Sequence, residues 1–256
     1  MKTGILLRLL ATLAGVIVIA PLCALIMKVS WQEFIHGLTN YETLKLSFWT
    51  SILATSIALL LGVPLAWIFA KGSKKITAVI RPLILAPIVL PPTVMGVALL
   101  ALMGRQGLLG EPIFKLTGWS MPFTTSAVVL TGIFVGLPFV VLICESNFRQ
   151  LPKEIEDAAL IDRISGRQLF QKIAIPQSRS AITTAGLLAW ARSIGEFGAT
   201  LMFAGSLPGT SQTLSMFIYQ QMDVDIEVAY SYALLMLVIS IFVVYILRRP
   251  LQEAFR

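Results

Sequence analysis

Arg192 and Glu196 stand four residues apart inside an otherwise apolar stretch, 181–205. Ionisable residues at such depth are costly, and they face a bundle interior or a wet cavity. At a spacing of four they share one helical face and can pair. Two chemistries fit: a mutual structural salt bridge, or a guanidinium that meets a passing anion. Ser193 and Thr200 add hydroxyls to the same stretch. The small residues Gly195, Gly198, Ala199, Ala204 and Gly205 would let helices approach closely there.

A second polar opportunity follows a run of prolines at 82, 87, 91 and 92. An interior proline removes a helix hydrogen bond and clashes with the preceding turn. Lipid cannot satisfy the freed carbonyls, so such a break belongs against protein or a water-filled path. Thr93, directly after Pro91 and Pro92, can offer its hydroxyl to an oxyanion; the bland alternative is a kink that only shapes packing.

A third feature is the charged stretch 145–180, in which Leu160, Ile161, Ile164, Leu169, Phe170 and Ile173 recur at roughly helical spacing. Short amphipathic helices of this kind bury one apolar face against another protein, or against the ends of their own spans. Other chemistries lack their parts. The chain has no G-x-x-x-x-G-K-[ST] phosphate loop, no H-E-x-x-H and no G-x-S-x-G. An intramembrane hydrolase would need a nucleophile held beside a base. Cys23 and Cys144 have no partner at metal-ligand spacing and read as small buried hydrophobes. His36, the single histidine, reads as a solvated loop residue.

The elements that must position these residues follow from composition. The 256 residues are 57% hydrophobic and 13% charged, with a mean hydropathy of +0.84. Soluble domains carry roughly 25% charged residues, so the fitting solvent is a bilayer. Six apolar segments, 5–29, 44–70, 76–103, 121–144, 181–205 and 229–247, are each long enough to span one. The expected architecture is an all-α integral membrane protein of six transmembrane helices, forming one domain over 1–256. The first segment is too long for a signal-peptide core and lacks a small-x-small site, so it reads as a retained span.

With both termini inside, fifteen Lys and Arg fall on the inner side and four on the outer. That bias sets orientation, and it accounts for the net charge of +7 without nucleic acid. The outer connections 104–120 and 206–228 are expected to face an external partner.

The stretch DAALIDRISGRQLFQKIAIP resembles the EAA loop of ABC importer permeases, E-A-A-x3-G-x9-I-x-L-P. Asp157, Ala158 and Ala159 take the E-A-A positions, and Ile173 and Pro176 the closing ones. Arg163 stands where the family has glycine, and Gly166 comes three residues late. Ala191 to Leu214 (ARSIGEFGATLMFAGSLPGTSQTL) is similar to the fifth span and following loop of molybdate permeases. Leu85 to Gly110 (LAPIVLPPTVMGVALLALMGRQGLLG) is similar to their third span, and sulfate permeases share a weaker version of both.

The resemblance implies a type I ABC importer permease of a bacterial or archaeal cytoplasmic membrane, carrying molybdate, tungstate or sulfate by alternating access. It implies a homodimer, two cytoplasmic ATP-binding subunits that use the ATP, a periplasmic oxyanion-binding protein, and no cofactor on this chain. Coupling would run through Asp157, Ala158, Ala159, Arg163, Gly166, Ile173 and Pro176. The pathway or gate would use Pro91, Pro92, Thr93, Arg192, Ser193, Glu196 and Thr200. A gated anion channel would need no docking loop, and an assembly scaffold would need neither a broken third span nor charges at depth.

Overall fold

The computed structural model describes residues 5–39 and 42–254, and among these it is helical with no strand. The helices are α1 (Ile5–Lys28), α2 (Trp31–Thr39), α3 (Glu42–Lys71), α4 (Lys74–Leu85), α5 (Pro92–Met103), α6 (Gly110–Thr117) and α7 (Thr125–Arg149). They continue as α8 (Lys153–Ile161), α9 (Gly166–Leu169), α10 (Ile175–Gln177), α11 (Arg179–Ile194), α12 (Gly198–Ala204), α13 (Leu214–Val224) and α14 (Ile226–Ala254). A 3-10 turn, Ala86–Ile88, lies between α4 and α5, and a π-helical turn, Phe170–Ala174, between α9 and α10.

Among the described residues four helices are long and apolar enough to cross a bilayer: α1, α3, α7 and α14. The third apolar segment is not one straight rod. Its two halves, 75–88 and 92–103, are bent by 118° and make a fifth span if counted together. The cause is local. Pro91 and Pro92 offer no N–H to a continuing helix, and a residue before proline is pushed to extended backbone. Pro91 accordingly has ψ 138°, and Pro92 starts α5 as its first residue. The segment 181–205, expected as a continuous span, is also split: α11 ends at Ile194 and α12 begins at Gly198.

Small residues set the core. Ala54, Ala58, Gly62 and Ala66, each four apart, are all buried along one ridge of α3. That ridge lies against α7, where a Cβ on Gly62 would come 2.7 Å from the Cγ1 of Val140. A Cβ on Gly132 would come 2.7 Å from the Cβ of Ala54. α11 completes the trio with buried Ala181, Ala185, Gly186 and Ala189. In lipid no hydrophobic force drives helices together, so close approach of small residues and the dispersion it permits must do so.

α1 stands apart from this core. None of its apolar window is buried, and Cys23, expected inside, is exposed on it while Cys144 is buried. A thiol on a helix that faces lipid needs no burial in protein to escape water. The connection holding His36 is also helical: α2 presents His36 on its exposed side, and α2 packs on α14.

Candidate functional site

The two helix breaks meet. α5 runs beside α12, and a Cβ on Gly96 would come 2.9 Å from the carbonyl oxygen of Ala199. A Cβ on Gly198 would come 2.6 Å from the Cβ of Pro92. The interruptions at 89–91 and 195–197 therefore lie side by side. They also lie deep: Ser193 and Ala54 both border Gly132. Ala54 is about 18 Å along α3 from Glu42 and about 26 Å from Lys71 at 1.5 Å per residue.

Arg192 and Glu196 form a salt bridge, which takes the first of the two chemistries left open by their spacing. The helix does not run through them. Arg192 lies in the last turn of α11, where a cation complements the helix C-terminus. Glu196 stands in the break, 3% exposed, and its Oε1 accepts from the backbone N–H of Ala199 at 2.9 Å. One carboxylate thus neutralises Arg192 and caps the first turn of α12. The side chain of Arg192 remains 31% exposed.

Of the other pathway candidates, Pro91, Pro92 and Thr93 are exposed at the start of α5, Ser193 is half-buried, and Thr200 is 2% exposed. Thr200 is therefore packed inside the protomer in this structure. Thr93 adjoins the first N–H groups of α5, which have no intrahelical acceptor. Gly205, with φ 64°, lies under the ring of Phe123, itself at φ 64°, where a Cβ would meet Phe123 Cδ1 at 2.7 Å.

The charged stretch divides in two. Its first half, α8, points away: Asp157 is exposed and Ile161 is 81% exposed. Ala158 and Ala159 belong to α8, and their side chains lie outside those described. The second half packs on the chain's own spans. Phe170 packs against Trp67, ring centroids 5.5 Å apart, and edge-on against Phe148 at 6.1 Å, and Ala174 is fully buried in the same cluster.

Between the halves, Arg163 has φ 55°. It adopts the left-handed conformation that glycine takes freely, so the turn is kept with an arginine in it. Gly166 does not supply that turn. It opens α9, with nothing within 4 Å of its Cβ position, and lies inside a capping box formed by Ser165 and Gln168. Ile173 falls in the π-helical turn just before Pro176. Widening that turn moves the preceding carbonyls away from the proline ring, which has no N–H to meet them.

A further polar cluster escaped the sequence reading. Glu145, 1% exposed near the end of α7, accepts from Arg81 Nε at 2.8 Å and from Arg149 Nε at 2.9 Å. Arg149 also donates to the carbonyl of Phe69 at 2.8 Å. This ties α4 and α7 to the end of α3. The signal was a carboxylate in the last turns of an apolar helix, where the dipole disfavours an anion and a cation must compensate. The acidic end of the connection 206–228 also has a structural use: Asp225, between α13 and α14, accepts at Oδ1 from the N–H of Glu227 at 3.0 Å and starts α14.

These features can be set beside known proteins. Residues 58–255 match the family of binding-protein-dependent transport system inner membrane components. The chain is 38% identical over 216 residues to the molybdenum transport system permease protein ModB of Mycobacterium tuberculosis, covering 83% of this chain and 81% of that one. It is 30% identical over 180 residues to ModB of Escherichia coli K12, covering 70% and 79%. In structure it is similar to a chain of a bacterial ABC transporter involved in the import of the acidic polysaccharide alginate, with TM-score 0.70, 15% identity and 94% of each chain covered. It is also similar to a chain of the MetNI methionine ABC transporter, with TM-score 0.60, 16% identity, and 92% and 99% covered. The bent third segment, the split fifth and the outward α8 are therefore parts of a transport permease, and the chain belongs to the family of binding-protein-dependent transport system inner membrane components.

Proposed function

We propose that this permease carries molybdate into the cytoplasm by alternating access, as one of two identical subunits. The observation that carries the substrate is the 38% identity over 216 residues to the molybdenum permease of M. tuberculosis. Two features of the site support an anion path of low affinity. The side-by-side breaks expose Thr93 and the start of α5, and Arg192 is neutralised by Glu196 rather than left as a full charge. Selectivity would then sit in an external oxyanion-binding protein.

The energy would come from two cytoplasmic ATP-binding subunits. Their docking surface is α8, which projects Asp157 and Ile161. The force would pass through Phe170 and Ala174, which are built into the cluster of α3, α7 and α11. Both termini, the 71–75 turn and α8–α10 would lie on the cytoplasmic side, as the basic residues require.

Molybdate uptake by cells relying on this permease tests the substrate. Tungstate should compete, and excess sulfate should not. Equal inhibition by sulfate would overturn molybdate as the cargo. Cysteines introduced at Lys74 or Gln168 should resist labelling from outside, and one at Asp225 should react. Asp157→Lys should abolish uptake while the chain still reaches the membrane.

A further inference from the structure

A cavity of about 490 Å³ opens where α3, α4 and α7 end beside the start of α8. Lys71, Arg81, Arg149 and Lys153 line it, with Thr77 and Ala78 between them, and among the described residues none of the lining is acidic. The carboxylate behind the wall, Glu145, is shared by both guanidiniums. Arg81 and Arg149 are also held in place. Glu145 and the Phe69 carbonyl fix them, yet their side chains remain 40% and 49% exposed. Guanidiniums already held in position lose little freedom when they meet an anion, and their planar forks suit phosphate oxygens.

The setting narrows the ligand. The opposite face of α4 carries Ile76, Val79 and Leu83, which are 60%, 68% and 70% exposed at helical spacing. That stripe places α4 in the lipid boundary, so its inner, basic face sits at headgroup level. Basic pockets between spans on the cytoplasmic side suit anionic headgroups. The volume falls in the usual range for a ligand pocket, roughly 300–1,000 Å³, and exceeds what a bare phosphate needs.

We infer that this cavity binds the headgroup of an anionic glycerophospholipid from the inner leaflet, its phosphodiester lying between the guanidiniums and the two lysines. The leaflet rests on the orientation proposed above; the site itself does not.

The test is thermal unfolding of the full-length chain in neutral detergent, titrated with phosphatidylglycerol, phosphatidylcholine or inorganic phosphate. Phosphatidylglycerol should raise the Tm saturably, by mass action on the folded state. The double variant Lys71→Gln/Lys153→Gln should weaken its apparent affinity at least tenfold. Ala78→Glu, which brings a repelling charge to an exposed position, should do the same. An equal response to phosphatidylcholine would overturn recognition of the headgroup charge. An equal response to inorganic phosphate would overturn the lipid as its source. Unchanged affinity in both variants would overturn the site. None of these readings needs transport. Labelling of Ala78→Cys from outside intact cells would overturn the orientation and leave the titration standing.

Discussion

Gly198 lies directly against Pro92, and a Cβ on the glycine would come 2.6 Å from the Cβ of the proline. This contact sets the two helix breaks side by side, and neither partner has a long side chain that could swing away. Gly198→Val should force α5 and α12 apart. Overpacking costs about 1–3 kcal/mol, so the variant should unfold several degrees lower. Its uptake should fall more than its stability does, because the breaks no longer meet. Wild-type uptake by a correctly inserted Gly198→Val would show that the contact has no part in transport.

Arg192 and Glu196 can now be tested with the cap included. Either single neutralisation leaves an uncompensated charge, and breaking a buried pair costs roughly 3–5 kcal/mol. Replacing both with leucine removes the charges but also removes the acceptor for the Ala199 N–H. Arg192→Met with Glu196→Gln keeps that acceptor. It should be more stable than the double leucine variant by about 0.5–2 kcal/mol, the range of a lost helix cap. Melting temperatures of the four variants decide this. If Arg192 also attracts the oxyanion, the stable double variant should still transport poorly.

Arg163→Gly should stabilise the loop. A non-glycine residue in the left-handed region costs about 1–2 kcal/mol. Glycine loses about 0.4–1 kcal/mol through the greater freedom of the unfolded chain. The net gain should lie between about 0 and about 1.6 kcal/mol by that comparison, and it should show as slower proteolysis between α8 and α9. Arg163→Val, branched at Cβ, should cleave faster than the native chain. The opposite order would mean that the arginine side chain holds the turn through contacts of its own.

Glu145→Gln should be among the most damaging single changes. It leaves Arg81 and Arg149 crowded together without their shared carboxylate, and α4 loses its tie to α7. A loss of roughly 3–5 kcal/mol is expected for breaking a buried ion pair, visible as a lower yield of folded protein in detergent. Adding Arg81→Met should restore part of that yield. A Glu145→Gln chain as stable as the native one would show that the cluster contributes no net stability.

Much of this permease is legible along the chain. Apolar runs long enough to span, the bias of Lys and Arg, and the absence of a phosphate loop are properties of composition and need no partner residue. The break at Pro91 and Pro92 is also local, because a missing N–H stops a helix wherever it lies. The left-handed turn at residue 163 was marked by family pattern alone, since nothing in an arginine announces a positive φ.

Tertiary structure decided which of these features meet. No rule of spacing pairs Pro92 with Gly198, or Arg81 with Glu145 across 64 positions. Nor does periodicity tell that Ile161 faces out while Phe170 turns in. An amphipathic pattern states that one face will be buried, and only the packing of distant helices states against what. The split at 195–197 shows the same limit. Glu196 holds Arg192 and the Ala199 N–H through contacts local in the chain, but only the packing of α12 on α5, with Gly198 against Pro92, sets that break beside the one at 89–91.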